Sequence, residues 1–147
     1  TLDMSMGLLD ANMSWNRPDV WSSEIPAVGG ITNAASLARI YAATVGEVDG
    51  VRLFGDATRE LVTTPVTAGI DKSLLLETKF GMGFMLTDGI LPWIGPRTFG
   101  HVGAGGSAGY ADPDLGIGFG YVMNQMAPGI LGDERSGALT AAVRGCL

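Results

Sequence analysis

The sequence predicts an α+β fold in which antiparallel sheet strands are covered by packing helices. Three observations predict it. Leu37, Tyr41 and Val45 recur every four residues with Ala34 and Ala38 beside them, which is the apolar stripe of a helix. From Phe80 onward, glycines alternate with bulky apolar residues, and each internal glycine would cost a helix about 1 kcal/mol, so that texture suits strands. A helical stretch then closes the chain. Helices first, a sheet next and a covering helix last is the α+β order.

Residues Thr1–Gly30 carry Met4, Met6, Leu8, Leu9, Met13, Trp15 and Trp21 without a helical or alternating period, and Pro18 and Pro26 punctuate them. They read either as a long loop packed on a core by flexible methionines or as the wall of an apolar substrate cleft. A helix follows over Ala34–Val45, with Thr32 or Asn33 as its cap and Gly46 as a terminator that accepts positive φ. A second, short helix over Ala57–Thr63 takes Asp56 as its cap and must stop before Pro65.

Phe80–Leu86 reads as a strand, and Asp88-Gly89 as a turn. Arg97–Val102 reads as a second strand that continues through a glycine-rich stretch to Ala111. Asp112-Pro113-Asp114-Leu115-Gly116 is strong turn chemistry, so Ile117–Met123 returns as the third strand of an antiparallel hairpin. The closing helix spans Glu134–Arg144. Asp133 caps it, Glu134 and Arg144 suit its dipole, and Ala138, Leu139, Ala142 and Val143 form its expected packing face.

The composition narrows the function. The chain has 147 residues, enough for one domain at most on the rule of roughly 100–200 residues per domain. Its 46% apolar and 16% charged content excludes a disordered tail. Glycine is in surplus, 23 of 147 against a usual share of about 7%, but without the every-third-residue period of collagen. A net charge of -6 with no basic cluster argues against a nucleic-acid partner. Cys146 is the single cysteine, so no internal disulfide forms.

No leader peptide opens the chain. It begins at Thr1 rather than Met, which suggests a piece of something longer. The longest uncharged stretch, Leu115–Gly132, contains Asn124, Gln125, Pro128 and five glycines, so no transmembrane segment is expected.

Several chemistries fall away quickly. One His and one Cys cannot supply the three or four ligands of a zinc site, and Asp112 and Asp114 lack the rest of a calcium loop. Gly103-Ala104-Gly105-Gly106-Ser107 lacks the following Lys-Ser/Thr of a phosphate loop. Gly105-Gly106-Ser107-Ala108-Gly109 fits the G-x-S-x-G nucleophile elbow in letters. Asp112, Pro113 and Gly116 follow it, however, and they make a turn where the elbow needs a helix.

His101 remains. A lone histidine is often structural, yet here it sits on a strand among glycines, which are tolerated where a ligand or another backbone approaches closely. Exposed N–H groups beside an imidazole make an oxyanion-binding edge.

The run from Phe99 to Asn124 resembles the C-terminal strand hairpin of the serine beta-lactamase-like esterases. These belong to the class C beta-lactamase and penicillin-binding-protein superfamily, and the actinobacterial lipase/esterase branch is the most similar. Gly29–Tyr41 resembles that family's helix after the active-site loop, and Gly81-Met82-Gly83-Phe84 its Gly-x-Gly-aromatic strand. His101-Val102-Gly103 matches the His-x-Gly form of the family's third motif.

The resemblance implies that His101 transfers a proton or anchors the substrate, that Gly103 keeps the strand clear, and that the N–H of Ala104 is half of an oxyanion hole, with Gly105 in the same binding edge. It implies ester cleavage through an acyl-serine, with a small-molecule ester as substrate and no cofactor or metal.

The chain departs from the family at the nucleophile. No serine has a lysine three positions later, and Tyr41, Tyr110 and Tyr121 lack an Asn two positions on. The expectation is therefore that residues 1–147 are the C-terminal portion of one domain, inactive alone, whose nucleophile lies in an absent N-terminal portion. That portion, or a second copy, would cover the edge of the Ile117–Met123 strand. A beta-lactamase, a DD-peptidase and a non-catalytic module of the same fold are the alternatives.

Overall fold

The structure is a computed structural model that describes residues 15–27, 29–87, 93–129 and 131–147. The Asp88-Gly89 turn and the chain before Trp15 lie outside the described residues. Within the segment read as irregular, Pro18–Trp21 forms one helical turn, α1, with Pro18 at the position where its missing N–H costs nothing.

The chain then enters α2, Ala34–Val45, where the Asn33 side chain accepts the Ser36 N–H at 2.8 Å. Its end differs from expectation. Gly46 is extended (φ -142°), and the left-handed residues are Asp49 and Gly50, which reverse the chain inside the Val48–Val51 bridge. Helix α3 spans Asp56–Thr63, one residue earlier than expected. Gly55 is its cap and Asp56 lies in the first turn, paired with Arg59 and Arg52. Arg59 also donates to the Val45 carbonyl at 2.7 Å, tying α3 to the end of α2.

Six strands follow as an antiparallel meander ordered β1 to β6. They are β1 (Thr67–Ile70), β2 (Glu77–Phe80), β3 (Met85–Leu86), β4 (Phe99–Val102), β5 (Ala108–Asp112) and β6 (Ile117–Tyr121). Two expected strands are each broken in two. Phe80–Leu86 is interrupted after Phe80 by a bend in which the Gly81 N–H meets the Phe84 carbonyl at 2.9 Å and Gly83 takes φ +83°. The strand expected to run from Arg97 to Ala111 folds back through a single 3-10 turn, Ala104–Gly106, so that Val102 pairs with Ala108 and His101 with Gly109.

The hairpin turn at Asp112 forms as expected. Asp112 is fully buried; one of its carboxylate oxygens accepts the N–H groups of Asp114 and Leu115, and the other accepts the Thr98 hydroxyl at 2.7 Å.

Helix α4, Glu134–Arg144, is capped reciprocally by Asp133 and Ser136. Its packing face differs from expectation: Ser136 and Thr140 are buried, whereas Ala138, Leu139 and Ala142 are exposed. The buried hydroxyls are satisfied, since the Tyr110 phenol donates to Thr140 at 3.1 Å and Thr140 donates to the Ser136 carbonyl at 2.9 Å. Met85, Trp93, Ile94, Val102, Ala108 and Tyr110 form one core cluster, against which Val143 packs. Val45, Val62, Leu86, Phe99 and Ala111 form the other, against which Tyr41, Phe54 and Phe84 pack.

Helix α2 lies directly on β5 and β6, and glycines make this possible. A Cβ at Gly118 would fall 2.6 Å from both the Ala38 carbonyl oxygen and the Ala42 Cα, and one at Gly120 would fall 2.5 Å from the Ala34 oxygen. Gly118→Ala is therefore expected to lower unfolding stability by roughly 1–3 kcal/mol, as overpacking does. Gly46→Ala has 3.8 Å to its nearest neighbour and should leave stability unchanged or slightly raised. Thermal unfolding of the two variants side by side checks the pair.

Candidate active site

Strand β4 carries His101 to the point where the sheet gives way to the 3-10 turn. The imidazole is exposed, flanked by the Phe80 ring at 6.3 Å between centroids. Its Nδ1 lies 2.6 Å from the Val102 carbonyl oxygen. A carbonyl only accepts, so the Nδ1 that meets it carries a proton and donates. Tyr41 of α2 meets the backbone of the same residue. Burial pushes its phenol up to about 12, and the hydrogen bond to the His101 backbone offsets part of that rise.

The Gly103–Ser107 turn follows. The Gly103 N–H donates to the Ser107 carbonyl at 2.7 Å, and the Gly106 N–H to the Gly103 carbonyl at 3.1 Å. Gly105 is left-handed (φ +84°), its N–H donates to the Gly129 carbonyl at 3.0 Å, and its carbonyl accepts from Ala127 at 2.9 Å. Its amide is thus engaged in holding the turn. The N–H of Ala104, at the first position of the turn, meets no protein acceptor among the described residues.

Gly103, Ala104 and Ser107 border a cleft of about 470 Å³. Trp15, Trp21, Ile31 and Met126 wall it, an apolar lining of the kind that holds small ligands. His101 and Gly105 are not part of that lining. Two of the four residues singled out from sequence therefore border the cleft, while the other two set the strand and turn beside it.

Ser107 does not sit on a nucleophile elbow, because β5 follows it directly and the elbow needs a helix there. Among the described residues no group of three or more His, Cys, Asp or Glu could hold a metal. No helix there is long and apolar enough to cross a membrane. Sequence reasoning missed Tyr41 as a neighbour of His101, and Arg135, which donates to the Gly105 carbonyl at 3.3 Å. Neither had a signal, since Tyr41 reads as one more member of an apolar stripe and Arg135 as an exposed helical charge.

The chain is similar to known proteins in sequence and fold. A family model described as "Beta-lactamase" matches residues 3–142. "Esterase/beta-lactamase LipL" of Mycobacterium tuberculosis is 37% identical over 123 residues, which are 78% of this chain and 27% of that protein. The crystal structure of a family VIII carboxylesterase superposes with a TM-score of 0.69 at 34% identity, covering 76% of this chain and 31% of that one. EstA from Arthrobacter nitroguajacolicus Rue61a gives 0.66 at 38% identity, over 76% of this chain and 31% of its own. A penicillin-binding protein homologue from Caulobacter crescentus gives 0.68 at 36% identity, over 78% and 32%. The chain thus spans about a third or less of the length of each of these relatives.

The packing of Tyr41 makes a prediction about alkaline stability. A phenol whose folded pKa is raised stabilises the fold fully below the unfolded value of about 10, and that contribution is lost as pH rises through the folded value of about 12. Tyr110, also pushed up to about 12 by burial, behaves likewise. Unfolding midpoints should therefore fall between pH 10 and 12, and Tyr41→Phe should flatten part of that fall.

Proposed function

The chain belongs to the beta-lactamase family, and on that premise we propose that the protein carrying it is a serine hydrolase that cleaves small carboxylic esters through an acyl-serine intermediate. The observation that carries the reading is the order of groups at the end of β4: an exposed imidazole, then a turn that borders an apolar cleft and whose Ala104 N–H meets no protein acceptor among the described residues. Relatives described as esterases support it.

In this reading a serine outside the chain attacks the ester carbonyl. The carbonyl oxygen becomes an oxyanion that accepts from the Ala104 N–H, one of the two donors such a hole uses. His101 anchors the substrate or passes the serine's proton to the departing alcohol, and water then releases the acid. Gly103 lets the turn close on Ser107, into which a side chain there would run, and it adds no side chain to the edge of the cleft. Gly105 contributes shape, holding the turn through Gly129 and Ala127. The apolar cleft accommodates the hydrocarbon part of the ester.

Residues 1–147 then form the C-terminal portion of one domain, inactive in isolation. No Ser-x-x-Lys occurs in the sequence, and the chain spans 27% of LipL. Strand β6 pairs only with β5 among the described residues, so its second edge offers unpaired backbone groups to the N-terminal portion or to a second copy. Elution of the chain alone as a folded monomer would count against that edge assignment. Hydrolysis of β-lactams or peptides is the second reading, favoured by the likeness to the penicillin-binding protein homologue.

The test is hydrolysis of a p-nitrophenyl ester series by the complete protein and by the 147-residue chain. The complete protein should turn over, the chain alone should not, and His101→Ala should lower kcat by about 10²–10⁴, the usual weight of an acid–base group. Ser107→Ala should retain activity, whereas removing a true serine nucleophile costs about 10⁶. Turnover by the chain alone that Ser107→Ala abolishes would overturn the proposal. Nitrocefin turnover without ester turnover would favour the second reading.

A further inference from the structure

The Ala104 turn is held in a clamp built from residues far along the chain. Behind it, Gly105 lies against Met126, whose Cε would sit 2.6 Å from any Cβ placed there. Gly106 takes φ +118° and lies against the Asp133 carboxylate, whose Cγ would be 2.6 Å from a Cβ. Asp133 is held in turn by Arg135, whose Nε donates to Oδ2 at 2.6 Å and whose Nη2 donates to the same oxygen. The Asp133 side chain is only 9% exposed.

The guanidinium then uses its remaining donors across the chain. Nη1 donates to the Gln125 carbonyl at 2.9 Å and Nη2 to the Gly105 carbonyl at 3.3 Å. One side chain therefore joins the start of α4, the 123–129 loop and the turn that presents the Ala104 N–H. These contacts need the planar fork of arginine, which a lysine ammonium cannot reproduce.

We infer that Arg135, seated on Asp133, is a positioning residue that sets the aim of the Ala104 N–H at the substrate carbonyl. The inference rests on the proposed ester-cleaving site. An oxyanion donor acts only when it lies about 3 Å from the developing charge, and loss of one costs about 10²–10³ in kcat. A displaced donor costs less than a missing one, so a drop of about tenfold or more is the expected signature of a loosened turn.

The complete protein is compared with its Arg135→Ala, Arg135→Lys and His101→Ala variants in steady-state ester hydrolysis, with thermal unfolding recorded for each. Arg135→Ala should lower kcat by about tenfold or more with KM within about twofold, and added guanidinium should recover part of the loss. Arg135→Lys should fall between it and the parent. An Arg135→Ala protein that folds and keeps the parent kcat overturns the inference, as does a kcat loss fully accounted for by the unfolded fraction. If Arg135→Ala does not fold, Arg135→Lys decides alone, and parental kcat there overturns it. A parent whose ester turnover ignores His101→Ala refutes the underlying site, whereas His101 dependence with indifference to Arg135 refutes the clamp alone.

Discussion

The contact on which the rest of the structure depends is that between the backbone of α2 and the bare faces of β5 and β6. Gly118 and Gly120 face the Ala34–Ala42 stretch of the helix, and Gly109 faces the ring of Tyr41 and the side chain of Leu37. Side chains at these three positions would hold the helix off the sheet. Three strand glycines cost roughly 1.5–3 kcal/mol relative to alanine, which about 60–120 Å² of buried apolar surface offsets at ~25 cal/mol per Å². A twelve-residue helix rich in alanine has that much surface to bury. These three glycines are thus a packing device. Proximity of α2, through its backbone at Gly118 and Gly120 and through the Tyr41 and Leu37 side chains at Gly109, explains the glycines of β5 and β6.

That contact also fixes the site. Tyr41 is brought over Gly109, which is the cross-strand partner of His101, and the phenol meets the His101 backbone there. The helix that needs the glycines is therefore the one that braces the strand carrying the imidazole. The Gly103–Ser107 turn is braced separately, from the 123–129 loop and the start of α4. One support braces β4, and the other braces the five-residue turn that follows it.

Elements with a long period and a local cap were legible in the sequence: α2 with Asn33 and α4 with Asp133 stand where the pattern puts them. Strands were legible as texture but not as topology. The Gly-apolar alternation runs unbroken through Gly81–Phe84, so nothing marks the bend that divides β2 from β3. The same holds at Gly103–Ser107, where left-handed Gly105 reverses a chain that reads as one strand. Strand β1 shows no alternation because all four of its residues are exposed. The α4 face was misread because apolar count favours Ala138, Leu139 and Ala142, whereas Ser136 and Thr140 find hydroxyl and carbonyl partners and are the residues buried. His101 stood out because it is the only imidazole in a glycine strand. Arg135 could not stand out, because its contact with Gly105 spans thirty positions.

The position of the turn limits how the site could be completed. In the proposed site the Ala104 N–H is one donor, and an oxyanion is held by at least two that converge on one oxygen. Within the turn, the neighbouring amides of Gly103, Gly105 and Gly106 are already given to protein carbonyls. In the proposed reading the second donor comes from outside this turn. It must reach the cleft between the Trp15–Ile31 wall and Met126, since that is where Ala104 is open. In a serine hydrolase the nucleophile's own amide meets that requirement at no extra cost, because the attacking oxygen and the second N–H then arrive on one residue. The proposed reading thus places the missing serine at the cleft, facing Ala104, with the acyl group between them and His101 at its flank.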